Sequence, residues 1–514
     1  MSHTLVDTLV LKLTALLDQI GATADNHLWL GYSGGMDSEL LAYTLARFRL
    51  NHPKTPYQIS LVHVHHGLSC NADAWAAHCR QRAEHYGLNF VLRKVQLELG
   101  PRVSIEAEAR RARYQAIAEL LNPGDILLTA HHQDDQLETL LLALKRGQGP
   151  KGLAAMGQAQ HLALISRAEG APCWQLRPML DSSRAQIEQA VASLELPYIN
   201  DESNQDTQYD RNFLRAEVIP VLKQRWPSIA TTASRSAALC AEQQLLLDEV
   251  STEKLQPLLG RCRFSGVRVL DSAGLKVLSP QWQAQLLRQF IQMQRLPLPA
   301  QVQLQQALAQ LLDAREDAQL ELSFKGLLLK RYGQQIYAMA PLPGAAFQLL
   351  DGVGSVEDVA AKNSKLTLSQ KQLQALSQGQ SLSVGLTSPW QRLELTLADS
   401  GPRVALAQVM APLMASLSAS QGAKVQVSDV AAAPELVLGL KGSYRCQPHN
   451  RDKGRELKKL WHELGVPPWL RDRVPLLMQN GRLLALAGGF VERSALASGS
   501  EPGIVLKLVA EATP

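Results

Sequence analysis

A strand, a glycine turn and a helix follow one another within residues 28–38, and this succession constrains the fold more than any other feature of the chain. The run reads Leu-Trp-Leu-Gly-Tyr-Ser-Gly-Gly-Met-Asp-Ser. Gly34 and Gly35 let the backbone curl tightly, because glycine adopts conformations that other residues avoid. The N–H groups of such a turn and of the helix after it form an anion site. The run therefore predicts a loop for a triphosphate or pyrophosphate, although a plain tight turn has the same pattern.

The polar residues of this turn distinguish it from other phosphate loops. It lacks the Lys that a Walker-type P-loop places just before its Ser or Thr. Asp37 is placed where a Mg²⁺ ion could be held against the phosphates, and Ser33 and Ser38 could donate hydrogen bonds to phosphate oxygens. The turn resembles the signature of the N-type ATP pyrophosphatases. That resemblance implies cleavage of ATP between its α- and β-phosphates.

Strand and helix patterns alternate along the first part of the chain. This alternation predicts a parallel sheet covered on both faces. Ligands of such sheets bind outside the carboxyl ends of the strands, where the glycine turn lies. The predicted strands are 28–32, 59–64, 89–95 and 125–130, and the predicted helices are 4–20, 37–50, 71–86, 104–121 and 133–146.

The remaining chain changes character several times. Helical patterns at 230–258 and 280–312, followed by a strand-like stretch at 318–339, predict a small α+β domain. A Pro- and Gly-rich segment at 341–355 reads as a linker. The last block combines strand patterns at 435–440, 482–487 and 503–509 with a helix at about 454–464. The predicted domains are 1–226, 227–340, 341–430 (linker and unassigned insertion) and 431–514.

Composition excludes several classes of protein. The chain has 514 residues, of which 46% are hydrophobic and 19% are charged, as in soluble proteins with several cores. No apolar run approaches the roughly 18–20 residues that span a bilayer. Six scattered cysteines without a C-x-x-C pair indicate reduced thiols in a cytoplasmic protein. A net charge of +5 permits binding to nucleic acid.

A second polar cluster follows the fourth predicted strand. It contains His131, His132, Asp134, Asp135 and Glu138. A helix that begins near Gln133 presents Asp135 and Glu138 on one face, since they are three residues apart. Two carboxylates beside a phosphate loop suit Mg²⁺–ATP, because Mg²⁺ takes oxygen ligands and keeps several waters. Ordinary capping acids of a first helical turn give the same pattern.

Two arginine pairs and a histidine run complete the candidate sites. Arg110 and Arg113 could clamp a phosphate or nucleotide oxygen, although a charged helix is more often a solvated face. Arg211 and Arg215 are four residues apart on one predicted helical face, where nearby acids could simply pair with them. Three histidines within 63–68 favour polar lining of the cleft over zinc, because no Cys or carboxylate stands at ligand spacing.

In their order and spacing these motifs resemble the tRNA(Ile)-lysidine synthetase family. The resemblance covers about 1–226 strongly, 434–495 well and 230–340 by general pattern, whereas 346–430 resembles nothing recognised. The motifs that carry it are 33–38, 63–68, 106–114, 131–139, 146–153, 177–178 and 201–215, with 454–461 and 466–472 in the tail.

The resemblance implies a fold and a two-step reaction. The fold is an α/β parallel sheet of the N-type ATP pyrophosphatase (adenine nucleotide alpha-hydrolase-like) type, followed by two smaller α+β domains. ATP would adenylate the C2 carbonyl oxygen of the wobble cytidine of a CAU-anticodon tRNA(Ile). The ε-amine of L-lysine would then attack C2 and expel AMP, leaving lysidine, which pairs with A rather than G. The resemblance leaves the oligomeric state open, with a homodimer as one option.

The resemblance also implies roles for individual residues. Asp37 and Asp135 would bind Mg²⁺, while Asp135 and Glu138 would serve the metal, the lysine ammonium group or both. His131 would lie near the α-phosphate, and no residue stands out as the base that deprotonates lysine. The residues that would wrap the pyrophosphate are Ser33, Gly34, Gly35, Met36, Asp37 and Ser38. The predicted catalytic set is Asp37, Arg113, His131, Asp135 and Glu138. The predicted contacts to the target nucleotide or tRNA are Arg110, Arg113, Arg211 and Arg215.

The segment 441–473 is the basic part of the tail. It holds nine Lys or Arg against four Asp or Glu, which predicts a surface that binds the RNA backbone with salt-sensitive affinity. The aromatic residues Trp461 and Trp469 are more often core than stacking platforms. The predicted tRNA contacts in this segment are Arg455, Lys458 and Lys459.

Three other functions use the same ATP scaffold. Thiolation of tRNA needs catalytic cysteines or a cluster-binding C-x-x-C, but Cys70 and Cys79 are nine residues apart and no such pair exists. Amidation of a small molecule needs a source of ammonia, and the chain shows no Cys-His-Glu glutaminase pattern. A non-catalytic RNA-binding protein that keeps an ATP fold is the third alternative.

Overall fold

In a computed structural model of the chain, the described residues are 4–51, 57–97, 105–162, 172–202, 206–315, 320–348, 364–387, 390–411 and 432–510. The chain divides into two compact units, Met1–Glu249 and Val250–Pro514. Among the described helices, none combines the length and the apolar character that crossing a membrane would require.

Up to residue 146 the first unit alternates strands and helices, as its sequence predicts, whereas the bounds of the strands and helices between 147 and 225 were not predicted. Its strands are β1 (Leu28–Gly31), β2 (Ile59–His65), β3 (Asn89–Lys94), β4 (Ile126–Leu128), β5 (Ala159–His161) and β6 (Trp174–Leu176). Its described helices are α1 (Leu5–Gln19), α2 (Met36–Asn51), α3 (Ala72–His85), α4 (Ile105–Ala118), α5 (Gln133–Lys145), α6 (Pro150–Leu153), α7 (Arg184–Ser193), α8 (Asp210–Phe213) and α9 (Ile219–Arg225), with a π-helical turn at Leu214–Val218. A further helix, α10 (Ile229–Leu255), begins in this unit and ends in the second.

The sheet of the first unit has the order β3-β2-β1-β4-β6-β5. All described neighbours pair in parallel except β5, which runs antiparallel to β6. Strand order reverses between β1 and β4, because the chain proceeds from β1 to β2 and β3 on one side and continues with β4 on the other. The loops after β1 and β4 therefore begin side by side at a topological switch point, where open α/β sheets bind their ligands. This confirms the predicted parallel α/β fold.

Apolar residues cover both faces of this sheet. On one face α1, α2, α3 and α7 pack through residues such as Leu13, Leu41 and Ile187, each almost completely buried. On the other face Ile117 of α4 packs with Trp29 and Leu127 of the strands. Because both faces are covered, the central strands β1 and β4 are continuously apolar, and polar residues follow at their carboxyl ends.

The second unit contains two α+β bodies. Its described strands are β7 (Leu259–Arg261), β8 (Arg268–Asp271), β9 (Leu320–Phe324), β10 (Leu327–Tyr332), β11 (Gln335–Met339), β12 (Phe347–Gln348), β13 (Lys365–Thr367), β14 (Leu382–Leu386), β15 (Trp390–Ala398), β16 (Val404–Ala405), β17 (Glu435–Val437), β18 (Arg445–Cys446), β19 (Arg455–Glu456), β20 (Leu476–Gln479), β21 (Arg482–Leu486), β22 (Phe490–Val491) and β23 (Gly503–Ala510). Its described helices are α11 (Ser272–Lys276), α12 (Pro280–Met293), α13 (Gln301–Asp313), α14 (Gln370–Ser377), α15 (Leu457–Glu463) and α16 (Pro468–Arg471).

The first of these bodies differs from its prediction in one respect. The helical stretch predicted at 280–312 consists of two helices, α12 and α13, which pack against the sheet β7-β8-β11-β10-β9. Pro297 and Pro299 lie between them, and proline excludes the preceding residue from helical conformation. Arg295 begins this break with a left-handed backbone, at φ 56°.

The second body joins segments that the sequence analysis separated. One sheet has the order β12-β14-β15-β23-β16 and the other β13-β17-β20-β21-β22. Both sheets therefore combine strands from before residue 411 with strands from after residue 432, around one hydrophobic core. The described parts of the segment 341–430 pair with the tail, so they do not form a separate linker and insertion. Part of the predicted linker, 349–355, lies outside the described residues.

Candidate active site

The glycine turn after β1 has a backbone that only glycine fits. Gly34 has φ +81°. A Cβ atom on Gly34 would lie 2.5 Å from Cδ1 of Ile199 and 2.8 Å from Sγ of Cys79, so the position is crowded as well as left-handed. The N–H of Ile199 donates to the Gly34 carbonyl at 2.9 Å, which fixes the outer side of the turn.

Hydroxyl groups and helix geometry shape the inside of the turn. Ser38 Oγ donates to the Gly35 carbonyl at 2.9 Å and lies 3.1 Å from Ser33 Oγ. Helix α2 begins at Met36, so its first N–H groups face the turn without intrahelical acceptors. The Met36 side chain packs in the core beneath the sheet. Only the backbone of Met36 is therefore available to the pyrophosphate that the sequence analysis assigns to this loop.

A buried carboxylate supports the turn from below. Glu39 is fully buried and accepts hydrogen bonds from the hydroxyls of Tyr32 and Tyr86 and, at 2.8 Å, from Nε of Arg82. Tyr32 immediately precedes the turn and Glu39 lies in the first turn of α2. This cluster therefore fixes the end of β1 relative to the start of α2. The cluster was not predicted from the sequence.

The start of α5 brings the second predicted cluster to the first. His132 caps the helix, since its Nδ1 accepts from the N–H of Asp134 at 3.2 Å. Nδ1 acts as acceptor, so the proton of the neutral ring lies on Nε2. That Nε2 lies 3.8 Å from Oδ2 of Asp37 and 3.6 Å from Oδ2 of Asp135. One imidazole thus connects the carboxylates of the two loops.

Two arginines neutralise these carboxylates. Arg215 donates from Nη2 to Asp135 at 2.8 Å and from Nε to Glu138. Arg184 donates from Nη1 to both oxygens of Asp37, at 3.2 and 3.3 Å. Arg215 was predicted at the site from its sequence, whereas Arg184 was not, because it is distant in sequence and has no motif of its own.

The pKa values of the three carboxylates shift in different directions, although burial raises each of them. Burial raises the pKa of Asp37, against the opposing charges of His132 and Arg184. Burial also raises the pKa of Glu138, against Arg215. For Asp135 burial acts in the same direction, but the neighbouring histidines and Arg215 outweigh it and leave its pKa below the ordinary value. Shifted carboxylates in one cleft are typical of functional sites.

His131 lies between β4 and α5 and is held neutral. Its Nδ1 lies 3.0 Å from Oγ1 of Thr129. Burial lowers the pKa of His131 to about 3, and the positive charges of Arg177, Arg110 and Arg211 act in the same direction against the attraction of Asp135. A neutral His131 at neutral pH can exchange hydrogen bonds with a phosphate or base without adding charge.

This pKa predicts acid sensitivity of the fold. Between about pH 6.5 and pH 3 the unfolded chain protonates His131 while the folded chain does not, so the free energy of unfolding falls as pH falls through that window. We expect His131→Gln to reduce this slope by up to about 1.4 kcal/mol per pH unit. Thermal unfolding midpoints between about pH 7 and pH 5 measure the slope. His85→Gln, on an exposed residue of α3, is the control, and equal slopes in wild type and His131→Gln would contradict the prediction.

The other predicted arginines lie in the same unit and have separate partners. Arg110 lies over the Tyr114 ring, with its Cζ atom 5.0 Å from the ring centroid. Arg113 Nε lies 3.4 Å from Nε2 of His66, and Arg211 Nε lies 3.8 Å from Glu106.

A buried network behind these arginines was not predicted. Arg177 donates from Nη2 to Gln175 at 2.7 Å, and Gln175 donates to Thr129 at 3.1 Å, which in turn contacts His131. Arg177 is part of the motif 177–178 that carries the family resemblance, but no role was predicted for it. Its place just after β6, which ends at Leu176, was a signal for one.

The histidine run at the end of β2 has several different partners. His63 Nδ1 lies 2.9 Å from the Tyr32 carbonyl, and His65 Nε2 lies 3.3 Å from Asp73. Across the described parts of the chain, no three His, Cys, Asp or Glu side chains are grouped as a metal site. Asp37 and Asp135 are two carboxylates, and a metal ion bound by them would need water or phosphate oxygens as its further ligands.

The predicted tRNA contacts of the tail lie in the second unit. Arg455, Lys458 and Lys459 are exposed around the start of α15, and Trp461 is buried in the core of this body. A cavity of about 640 Å³ opens here, and its charged lining mixes five cations with two acids. Its lining residues are Arg445, Asn450, Arg451, Asp452, Lys453, Gly454, Arg455, Glu456 and Lys459.

Comparison with protein families agrees with this geometry. A glycine turn at the switch point of a parallel sheet, faced by carboxylates, defines the first unit as an ATP-utilising PP-loop domain, and residues 6–222 match the PP-loop domain family. Residues 270–337 match the TilS substrate binding domain and residues 436–508 the TilS substrate C-terminal domain.

Similar proteins share one name. The chain is 47% identical to the tRNA(Ile)-lysidine synthase of Shewanella oneidensis, over 95% of this chain and 96% of that protein. It is 36% identical to those of Escherichia coli O157:H7, over 92% and 94%, and of Yersinia pestis, over 95% of each chain. The chain therefore belongs to the tRNA(Ile)-lysidine synthase family, whose members are ATP-dependent ligases that act on tRNA.

Solved structures resemble the chain only distantly. The U34-tRNA thiolase NcsA from Methanococcus maripaludis, described with a [4Fe-4S] cluster, is 17% identical and covers 45% of this chain and 78% of its own. Its TM-score of 0.35 is too low to support a conclusion about this chain.

Proposed function

We propose that the chain joins free L-lysine to C2 of the wobble cytidine in tRNA(Ile) with a CAU anticodon, in two steps at one centre. In the first step the C2 oxygen of cytidine bonds to the α-phosphorus of ATP and pyrophosphate leaves. In the second step the ε-amine of lysine bonds to C2, loses a proton, and AMP leaves with the oxygen. Adenylation is needed because a carbonyl oxygen is a very poor leaving group, whereas AMP is a good one.

One observation carries this proposal. His132 lies within 4 Å of both Asp37, in the glycine turn, and Asp135, in the second cluster. Asp135 shares Arg215 with Glu138. The phosphate loop and the second carboxylate cluster are thus one centre at the switch point, as a reaction that brings together ATP, a base and an amine requires. Catalysis at such a centre consists mainly of positioning and electrostatic stabilisation.

Asp37 and Asp135 are suited to hold Mg²⁺. Both are carboxylates beside the turn, and oxygen ligands completed by waters and phosphates are what Mg²⁺ prefers. When bound, the ion would neutralise phosphate charge as pyrophosphate departs. The raised pKa of Asp37, whose side chain is partly buried, is consistent with a side chain that gains from a nearby cation.

Glu138 is suited to hold the ammonium group of lysine. Its side chain is 1% exposed, and within the described structure its Oε2 atom is buried without a hydrogen-bond partner. A buried carboxylate oxygen with no donor is costly, and an ammonium group supplies the missing donor. Arg215 pairs with the other Glu138 oxygen, Oε1, and its side chain is 43% exposed. An exposed arginine can change position when substrate binds, while the buried Glu138 carboxylate stays in place.

Arg110, Arg113 and Arg211 are proposed to contact the target nucleotide. The charges of Arg110, Arg211 and Arg177 act on His131, the residue proposed to lie near the α-phosphate, and those of Arg110 and Arg211 act on Arg113. When the cytidine is unstacked from its neighbours, its flanking phosphates move with it. An arginine guanidinium can bind two oxygens of such a phosphate at once.

Thiolation has less support at this site. Burial raises the pKa of Cys79 to about 12, so its thiol stays protonated beneath the turn rather than carrying sulfur. The experiment that separates the functions is release of AMP and pyrophosphate by the full chain with tRNA(Ile), ATP and Mg²⁺. We expect release of AMP, and release of pyrophosphate beyond the first turnover, to depend on L-lysine, and dependence on a sulfur donor instead would overturn the proposal.

We propose that the body containing 431–514 binds the tRNA backbone. Replacing Arg455, Lys458 and Lys459 by Ala should weaken tRNA binding about tenfold near physiological salt and lower the slope of log affinity against log salt by about two. Binding titrations at several salt concentrations measure both. The control Lys365→Ala with Lys371→Ala removes two cations at the surface of the same body, and an equal loss of tRNA affinity in that control would contradict a localised surface.

A further inference from the structure

Arg184 is a charged residue that the reaction steps above do not use. It is the first residue of α7, which begins at the carboxyl edge of the sheet because it follows the parallel strand β6. Its Nη1 donates to both oxygens of Asp37, and its Nε donates to Glu188 at 2.9 Å. The Arg184 side chain is 41% exposed, so the guanidinium borders the open side of the phosphate loop.

Helix stability does not account for Arg184. A cation at a helix N-terminus opposes the helix dipole, which favours anions there. Helix α7 is already capped by Ser183, whose Oγ accepts from the N–H of Gln186 while the Gln186 side chain accepts from Ser183. The exposed pair with Glu188, four residues later in α7, contributes little to the helix, so an arginine at this position gains mainly by facing an anion in the cleft.

The partner of Arg184 points to the same conclusion. Asp37 is the carboxylate proposed to hold Mg²⁺, and in the empty site this partly buried side chain, 30% exposed, pairs with Arg184. With Mg²⁺–ATP bound, the Asp37 carboxylate would bind the ion in place of Arg184. The Nη1 group of Arg184 would then lose its Asp37 partner next to three phosphates, and a guanidinium binds phosphate oxygens in paired hydrogen bonds.

We propose that Arg184 is a phosphate-binding residue that exchanges partners, from Asp37 in the empty site to the β- and γ-phosphates when ATP is bound. This proposal rests on the proposed function. In the adenylation step the bond from the α-phosphorus to the bridging oxygen breaks, and its electron pair leaves with pyrophosphate. Arg184 stabilises the charge that develops on that leaving group.

The test measures pyrophosphate binding and steady-state kinetics with the full chain. For Arg184→Gln we expect the Kd of Mg²⁺–pyrophosphate by calorimetry and the KM for ATP to rise about tenfold, and adenylation to slow by about 10²-fold. The KM for lysine and the Kd for tRNA should stay within about twofold. Arg184→Lys keeps the charge without the fork and should recover part of the loss.

Glu188→Gln is the matched control, because it removes the other partner of Arg184 and leaves the guanidinium in place. We expect its Kd for Mg²⁺–pyrophosphate to stay within about twofold of wild type. If Arg184→Gln lowers the melting temperature but leaves pyrophosphate binding and the KM for ATP unchanged, Arg184 is only a structural partner of Asp37 and the proposal is wrong. Pyrophosphate binding can be measured without turnover, so this failure is distinct from a wild-type chain that releases no AMP.

Discussion

Asp37→Ala should abolish lysine-dependent release of AMP, lowering kcat/KM by about 10³-fold or more, while the Kd for tRNA changes less than about threefold. The reason is the position of Asp37 in the phosphate turn, where its carboxylate faces Arg184 and His132. Removing it takes away a proposed metal ligand and leaves Arg184 without its carboxylate partner beside the phosphates. Steady-state kinetics and tRNA binding titrations on the same preparation measure the two effects.

Asp181→Asn is the control for this variant. Asp181 lies in the same unit and pairs with Lys12, but its side chain is 53% exposed and it has no contact with the turn. We expect it to keep kcat/KM within about twofold, as surface pairs contribute little. Turnover by Asp37→Ala comparable to that of Asp181→Asn would show that Asp37 has no catalytic role, and loss of tRNA binding alone would favour a non-catalytic RNA-binding protein.

Glu138→Gln should affect the second step and spare the first. Its buried Oε2 atom is the proposed acceptor for the lysine ammonium group. Loss of a hydrogen bond between charged groups should raise the KM for lysine by about tenfold to a hundredfold. The KM for ATP should change little, because Glu138 is not part of the phosphate turn. Kinetics with lysine and ATP varied separately measure this split.

Asp125→Asn is the matched control for Glu138. Asp125 is also a buried carboxylate and precedes β4, the strand whose other end leads to His131. It accepts hydrogen bonds from Trp29 Nε1 at 3.0 Å and from the N–H of Asn122 at 2.9 Å. We expect Asp125→Asn to lower stability without changing the KM for lysine. Equal rises in both KM values in Glu138→Gln would mean that Glu138 supports the whole site rather than the amine.

The sequence predicted the first unit well because local patterns determine it. The strands of the sheet alternate with helices at short spacing, and β1 through β4 lie within a residue or two of their predicted bounds. The glycine turn was recognisable because Gly34 needs a conformation that few residues adopt. Parallel topology then placed the polar ends of β1 and β4 at one edge without further information.

Residues brought together from distant segments could not be predicted. Arg184 reaches Asp37 across 147 positions, and Arg82 reaches Glu39 across 43. No periodicity connects such positions, since their proximity follows from the packing of whole helices on the sheet. The second unit shows the same limit, because β15 pairs with β23 more than a hundred residues later. Each of these strands is only a short apolar stretch in the sequence, and nothing in that stretch indicates which distant strand it pairs with.

The most direct test of the central claim is mass spectrometry of tRNA(Ile) with a CAU anticodon after incubation with the full chain, ATP, Mg²⁺ and L-lysine. If the glycine turn and the carboxylates of α5 form one adenylating and ligating centre, the wobble cytidine gains one lysine and AMP accumulates in equal amount. A tRNA that remains unmodified, or a modified tRNA accompanied by ADP, would contradict that centre.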